Sequence, residues 1–356
     1  FFKQKTAYEI RNCDWSSDVC SSDLPGVAGR AVTAYIVRRI LYAIPILIGV
    51  NLLTFTLFFF VNTPDDMARL HLGVKRVTPD AITRWKADHG YDKPLLYNTS
   101  ASGVSKLTNT IFFQHSLKLF VFDFGKADDG RDISHDVGNR MWASLAIALP
   151  TLLIGVAVNI SFAMLLAFFR GSYLDTSGMV VCVIMMSISM LFYIIGGQYL
   201  FSKLLHLVPI SGYEPGWTAA KFVILPVLIG AIGGIGAGTR LYRTFFLEEI
   251  NKDYVRTARA KGLSEARVLF RHVLKNAMVP ILTGVVVAIP LLFIGSLIME
   301  SFFGIPGLGS YTIDAIRHQD FAIVRAMVFL GSVLYIVGLI LTDISYTMVD
   351  PRIRFQ

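Results

Sequence analysis

The chain has 356 residues, of which 54% are hydrophobic and only 16% are charged, and it carries a net charge of +8. Soluble domains carry about 25% charged residues, so this composition excludes an ordinary soluble domain and predicts a membrane protein. The basic residues lie between hydrophobic stretches without a helix-turn-helix, zinc-finger or RNA-binding signature, which argues against a nucleic-acid partner.

The first segment, residues 1–24, has neither the apolar core of a signal peptide nor a helical period. It resembles the translation of a sequencing-library adapter, and we expect it to pack against nothing. The natural start is then expected at Val32, read from a GTG codon. Cys13 and Cys20 fall in this segment and Cys182 lies in an apolar stretch, so no disulfide is predicted.

Six apolar stretches are long enough to cross a membrane, since a spanning helix needs about 20 predominantly apolar residues. The sixth contains Asp343, whose cost of about 3 kcal/mol at a helix centre is offset by the Leu, Ile and Val residues around it. An all-α integral membrane protein with about six transmembrane helices is therefore predicted. The predicted spans are 40–62, 143–169, 179–202, 222–239, 277–299 and 326–348, the first belonging to a helical region 32–62.

The distribution of Lys and Arg predicts that both termini are cytoplasmic, because basic residues then cluster on the inner side. A large outer segment, residues 63–141, follows the first helix and is too long for a simple connector. Composition favours a small folded cap there, although a floppy loop is also compatible with it. The five-helix core is predicted over 142–350, with an inner loop at 240–275 and a cytoplasmic tail at 351–356.

The inner loop contains a pattern typical of two short helices joined at a glycine. Asn251 can cap the first helix, and Gly262 suits a left-handed helix stop, after which Ser264 can cap the second. Val255, Ala258 and Gly262 recur at helical spacing and predict a small-residue face on which another protein could sit. A basic amphipathic stretch lying on anionic lipid is an alternative that charge alone does not separate.

The run from Tyr254 to Leu263, YVRTARAKGL, resembles the coupling loop, or EAA loop, of ABC importer permeases. That motif commonly has an acidic residue where this chain has Arg256, and Leu-Pro where it has Leu274 and Lys275. Both departures fit the peptide-permease branch. The resemblance implies contact with an ATPase through Tyr254, Val255, Arg256, Thr257, Ala258, Lys261, Gly262 and Leu263.

Further sequence segments, distributed over nearly the whole chain after Tyr35, resemble the B-type permease subunit of dipeptide and oligopeptide importers. They occur at 35–45, 91–95 and 208–213, whereas 100–135 diverges. The resemblance implies a structural role for motif residues at two places near the end of the chain. These are Glu300, Gly304, Pro306, Gly307 and Gly309, and then Asp350, Pro351 and Arg352.

The family resemblance implies a multi-pass subunit of the bacterial inner membrane that needs no cofactor. It implies a second homologous permease, two ABC ATPases, a periplasmic or lipid-anchored substrate-binding protein, and a peptide substrate. Ala258 and Gly262 are then expected to stay small in order to seat in an ATPase cleft, so that Asp at Ala258 would uncouple an inserted protein. A nickel or nickel-chelate permease, a membrane-embedded enzyme and a passive channel are the alternatives.

Other polar and glycine-rich patterns support no enzyme activity. Five glycines of the fourth span lack the GK[ST] of a phosphate loop, so helix packing is favoured and no ATP site is predicted. His206 and His318 show no metal-ligand spacing; on the predicted outer side they could meet a transported metal, but ordinary surface residues are favoured. Asn51, Asn159 and Asp343 could line a path or form hydrogen bonds between helices. The glycines are Gly230, Gly233, Gly234, Gly236 and Gly238.

Overall fold

A computed structural model describes residues 25–73, 78–99, 105–214 and 216–349, and the side chains discussed below lie between Val37 and Ser345. Within these ranges the chain is helical apart from connecting turns and an isolated antiparallel bridge between Lys126 and Asp132. The expectations for 1–24, for the tail 351–356 and for Asp350, Pro351 and Arg352 lie outside the described residues. The α-helices are α1 Pro25–Thr56, α2 Pro64–Leu72, α3 Pro79–Asp88, α4 Ser105–Thr108, α5 Ile111–His115, α6 Ile133–Phe168, α7 Tyr173–Ser187, α8 Met190–Gly197, α9 Ala219–Ile250, α10 Asp253–Ala260, α11 Glu265–Val268, α12 Leu274–Leu291, α13 Leu297–Phe303, α14 Leu308–His318 and α15 Phe321–Val349.

Five helical segments in the described ranges are long and apolar enough to cross a membrane, and a bent pair makes six. This confirms the predicted all-α membrane fold with about six spans. The bent pair consists of Tyr173–Ser187 and Met190–Leu204, the latter joining α8 to a π-helical turn. The five continuous segments are Val37–Val61, Ile133–Phe168, Ala219–Ile250, Glu265–Leu291 and Phe321–Ser345.

The third predicted span, 179–202, is wrong as a single straight helix. The chain bends by 88° between its two halves, where Ile188 adopts an extended conformation with φ −86° and ψ 125°. The Tyr193 hydroxyl donates a hydrogen bond to the Met185 carbonyl across the break, at 2.9 Å. Apolar composition continues through the break, so hydropathy alone registers one span where the backbone makes two helices.

Two other predicted boundaries also need correction. The fourth span is expected to end at 239, where the apolar stretch ends, but the helix α9 continues past that point to Ile250. The fifth is expected to reach 299, but α12 ends at Leu291, and Gly295 has a φ of +76° in the turn before α13. Only a residue free of a β-carbon adopts that left-handed conformation readily, so the turn coincides with a glycine.

The bundle core is built on α9, which packs between α6 and α7. The Thr239 hydroxyl donates to the side-chain amide oxygen (Oδ1) of Asn159 at 3.1 Å, and both side chains are buried. A β-carbon on Gly238 would overlap the Asn159 amide. Asn159 therefore joins two helices, and the glycines of α9 allow close helix approach. Neighbouring side chains or backbone also crowd Gly230, Gly233 and Gly236, whereas Gly234 faces open space.

The described residues between 63 and 132, here called the cap, fold into short helices on the end of the bundle where α1 finishes. Thr63 and Asp66 form a reciprocal capping box at the start of α2. Asn51 of α1 donates to the Ser116 carbonyl at 3.0 Å, which ties the cap to the bundle. The segment expected at 63–141 ends earlier because α6 already begins at Ile133. The cap core consists of Phe55, Phe59, Met67, Ala68, Ile82, Trp85, Tyr91 and Ile111.

Candidate functional site

The inner loop predicted at 240–275 forms two short helices, α10 and α11, at the end of the bundle opposite the cap. Lys252 occupies the N-cap position of α10, whereas Asn251 ends α9, so the expected capping role of Asn251 is wrong. Gly262 has a φ of +75° and follows α10 closely, which confirms the predicted helix stop. Ser264 precedes α11 at the N-cap position, but its side chain makes no capping hydrogen bond.

Of the predicted small-residue face, Val255 and Ala258 point into this chain and not towards a partner, whereas Gly262 is exposed. Val255 is 0% exposed and Ala258 is 6% exposed, and both belong to a cluster formed by the ends of three spanning helices. The expectation that Ala258 seats in a partner's cleft is therefore wrong, because its own chain already covers it. The other members of this cluster, the α10 anchor, are Ala163, Met164, Ala167, Phe246, Ile250, Val268, Leu269, Val273, Ala277 and Ile281.

The opposite face of α10 is exposed and basic. Arg256, Thr257, Lys261 and Gly262 are exposed, while Tyr254 and Leu263 are half-buried at its edges. Arg256 forms an ion pair with Asp253 at 3.3 Å, and both side chains of this pair are largely exposed to solvent. The surface that could meet another protein is thus carried by the polar members of the predicted loop.

Ion pairs hold this loop in shape. Both Nε and Nη2 of Arg259 donate to the Glu265 carboxylate, at 2.7 and 3.0 Å, and join α10 to α11 across Gly262. The Tyr254 hydroxyl donates to Glu249 at 2.6 Å. Burial and this carboxylate raise the pKa of Tyr254 to about 12, so the hydroxyl stays protonated as a donor. The α10–α11 unit is therefore fixed to α9 as well as to the anchor.

A second group of predicted residues converges at the other end of the bundle, around Glu300 of α13. Glu300 is 1% exposed, and its two carboxylate oxygens accept the backbone N–H groups of Ser296 and Ser310 at 3.1 and 3.0 Å. Burial raises the pKa of Glu300, and these hydrogen bonds partly oppose that shift. The Ser144 hydroxyl of α6 accepts the Leu308 N–H at 2.8 Å. Glu300 thus joins the starts of α13 and α14 beside α6.

The glycines around Glu300 make room for this arrangement. A β-carbon on Gly307 would overlap the Glu300 carboxylate, and one on Gly309 would lie 2.7 Å from the Ser296 carbonyl carbon. Gly304 ends α13 in the left-handed conformation, with a φ of +63°, and Pro306 lies exposed in the following turn. Contacts or backbone conformation therefore explain the residue type at four of the five family-motif positions here, all except Pro306.

Beside Glu300 lies a mainly apolar cavity of about 390 Å³. It sits between α6, α9 and the end of α12, within the membrane-spanning bundle. Ser144, Thr151 and Glu300 provide polar groups in its wall, and Met190 and Leu291 are among its apolar members.

Sequence reasoning missed a cluster in which the cap meets α14 and α15. His71 and His89 each approach the Asp128 carboxylate at 3.3 Å, and Asp320 accepts the Asp128 N–H at 2.8 Å. The hydrogen bond that His89 donates to the Asp128 carboxylate raises the pKa of His89 above its usual value. These residues are far apart in the chain and follow no motif, so no local pattern could have found them.

The other predicted polar residues have ordinary surroundings. His206 is exposed, as is His318, which contacts the Asp314 carbonyl one turn earlier. Arg39 pairs with Asp343 at 2.7 Å, which accounts for an acidic residue inside α15. In the part of the chain that the structure describes, no group of three or more His, Cys, Asp or Glu could hold a metal ion.

Comparison with known proteins gives matches over almost the whole chain. Residues 159–355 match the family described as binding-protein-dependent transport system inner membrane component. Residues 32–112 match the N-terminal region of the membrane component of binding-protein-dependent transport systems.

Named relatives agree with these family matches. A putative peptide transport system permease protein of Brucella abortus strain 2308 is 33% identical over 333 residues, covering 91% of this chain and 100% of the relative. A di/tripeptide transport system permease protein of Pseudomonas aeruginosa is 30% identical, covering 91% and 99%. An oligopeptide transport system permease protein of Bacillus subtilis is 29% identical, covering 91% and 100%.

Proposed function

Because this chain belongs to the family of inner membrane components of binding-protein-dependent transport systems, we propose that it is the B-type permease subunit of an importer for short peptides. It is a multi-pass inner membrane protein and a transport subunit. The relatives described above are named for peptide transport and not for nickel transport. A di- or oligopeptide is therefore the substrate class that the comparisons favour.

The proposed orientation places α10 in the cytoplasm and the cap on the outer side, with both termini inside. The importer would contain a second homologous permease, two ATPases below the membrane and a substrate-binding protein that docks above it. ATP would be hydrolysed on the ATPases, since this subunit is proposed to have no ATP site of its own. The substrate would cross at the interface of the two permeases.

The observation that carries this proposal is the two-sided structure of α10. On its inner side, Val255 and Ala258 pack in the α10 anchor. On its outer side, Arg256, Thr257 and the following Lys261 are exposed. The anchor is shared by the ends of α6, α9 and α12, so a displacement of α10 would be transmitted to three spanning helices. Packed interiors transmit such strain because they leave little room for local relaxation.

The test is uptake of a labelled peptide panel and of nickel in cells that express the native operon with and without this gene. Gene-dependent and ATP-dependent peptide uptake is expected. Nickel uptake without peptide uptake would contradict the proposed substrate, and equal uptake with and without the gene would contradict the transport role. Flux that persists without ATP hydrolysis would favour a passive channel.

The coupling role has its own test in the double variant Arg256→Glu, Lys261→Glu. The protein should insert normally, because both side chains are exposed, but it should lose copurification with the ATPases and lose uptake. Lys221→Glu is the matched control, since Lys221 is an exposed cation at the opposite end of α9. Retained ATPase copurification in the double variant would contradict the coupling contact and favour a lipid-binding role for the basic face.

A further inference from the structure

A polar cavity of about 520 Å³ lies between the cap and the first turn of α15. Its volume is in the range of sites for small molecules, and it is separate from the apolar cavity beside Glu300. The walls come from the loop after α3, from α5, from the loop 118–130 and from α15. Residues of both charges line it, including Asp88, His115, Lys118, Asp123, Lys126 and Arg325.

Arg325 is the unusual member of this wall, because it is only 5% exposed and has no carboxylate partner among the described residues. Its Nε donates to the Phe321 carbonyl and its Nη2 to the Tyr91 hydroxyl, each at 3.3 Å. The guanidinium lies 4.9 Å from the ring centre of Phe59. Its Nη1 is buried without a hydrogen-bond partner in the described part of the chain. A buried cation with an unused donor is costly unless a counter-charge completes it.

A second nitrogen in the same wall is also unused. His115 Nε2 is buried and has no hydrogen-bond partner within the described residues. Burial, followed by the charges of Arg325 and Lys93, lowers the pKa of His115 to about 3, so its ring is neutral. The unpartnered Nη1 of Arg325 belongs to a cation and calls for an acceptor that carries negative charge, and His115 Nε2 can donate to the same acceptor when the ring proton is on that nitrogen.

We propose that this cavity binds a short zwitterionic peptide, with its terminal carboxylate at Arg325 and His115 and its ammonium group towards Asp88. The proposal rests on the peptide-transport function proposed above and adds a binding site to it. Bidentate recognition by a guanidinium suits a carboxylate. Asp88 is an exposed carboxylate in the cavity lining, whereas the Asp128 carboxylate is already occupied by His71 and His89.

The substrate is favoured over an acidic side chain of the binding protein as the source of the carboxylate. Arg325, Tyr91 and His115 lie together in the lining of the cavity, and its volume fits a small molecule better than a protein segment. A peptide bound there would be held at the cap, beside the start of α15. The site would then be a holding position at the outer end of the spanning helices.

The test measures calorimetric binding of L-alanyl-L-alanine to the full-length chain in lipid nanodiscs. Its C-terminal amide and its N-acetyl derivative are compared on the unaltered protein, so that folding of a variant does not enter. The amide should bind at least about tenfold more weakly, because it lacks the charge-assisted contact with Arg325. Equal binding of the dipeptide and its amide would overturn the proposal.

Variants locate the site. Arg325→Met should abolish the preference for the carboxylate, and Arg325→Lys should retain part of it. Arg69→Met is the matched control, since Arg69 is an exposed cap arginine outside the cavity wall, and it should bind as the unaltered chain does. Carboxylate-dependent binding that Arg325→Met leaves unchanged would place the peptide elsewhere and overturn the proposal.

Two further outcomes separate this site from the transport role and from a docking role. Normal gene-dependent peptide uptake without carboxylate-dependent binding to the chain would overturn the site and leave the proposed function standing. Absence of uptake would instead contradict the proposed function. If Arg325→Met weakens copurification with the binding protein while the dipeptide does not bind, the cavity receives an acidic side chain of that protein, and the peptide site is wrong.

Discussion

Replacing Gly309 by alanine tests how closely α14 is packed against the turn that begins α13. A β-carbon at this position would lie 2.7 Å from the Ser296 carbonyl carbon and 2.8 Å from the Ser296 oxygen and the Leu297 nitrogen. All three are backbone atoms, so no side-chain rotation can relieve the overlap. The helix start must therefore move away from Ser296, and the adjacent Ser310 N–H moves with it, weakening its hydrogen bond to Glu300.

The expected change in the free energy of unfolding combines three effects, of which two are destabilising and one is stabilising. Overpacking costs about 1–3 kcal/mol, and weakening one hydrogen bond to a carboxylate adds about 1 kcal/mol. Alanine regains up to about 1 kcal/mol over glycine in a helix, although less so at the second residue of α14. We expect a net loss of about 2 kcal/mol, which is roughly a 30-fold change in the folded-to-unfolded ratio.

The assay is thermal unfolding of the purified protein in detergent. Each kcal/mol lowers the midpoint by roughly 2–4 °C in domains of moderate size, so a decrease of several degrees is expected. Gly284→Ala in α12 is the matched control, because nothing lies within 4 Å of the place its new β-carbon would occupy, and it should leave the midpoint unchanged or raise it. A Gly309→Ala midpoint equal to that of the control would refute the packing argument.

Ala258→Asp should lower the amount of folded protein in the membrane, because it buries a carboxylate in the α10 anchor; normal membrane levels with lost uptake would instead support a direct partner contact. His89→Gln should reduce the pH dependence of the thermal midpoint. The raised pKa of His89 means that the stabilisation by Asp128 is complete below the ordinary value of 6.5 and is lost as the pH rises through the raised value. An unchanged pH profile would show that this pair does not stabilise the cap. Asn159→Leu should cost about 0.6 kcal/mol through the lost hydrogen bond from Thr239; a double-mutant cycle with Thr239→Val that gives no coupling would count against this bond.

The sequence predicted the features that depend on local chemistry. Spanning helices follow from apolar length, and the left-handed stop at Gly262 follows from the freedom of a residue without a β-carbon. The glycines of α9 indicate helix packing because they lack the lysine of a phosphate loop. Each of these signals is contained within a few neighbouring residues or within one apolar stretch.

The features that depend on direction and on distant contacts could not be predicted in this way. Helical spacing groups Val255 with Ala258 but does not say whether that face points inward or outward, and it points inward. Hydropathy reports apolar length but not the 88° bend that divides the third span. The cap cavity brings Arg325 beside Tyr91, 234 positions away in the chain, which no spacing rule describes.

The bend after α7 has a consequence for how this part of the chain can cross the membrane. α7 has 15 residues, which at 1.5 Å per residue gives a length of roughly 22 Å, less than the roughly 30 Å of the hydrocarbon core. By itself α7 cannot complete a crossing, and its exposed end would leave backbone groups unsatisfied in lipid. Gly236 of α9 provides the close seat for the Cys182 region of α7. Together α7 and the segment after the bend are long and apolar enough for one broken span, so a crossing here depends on both halves and on the close contact of α7 with α9.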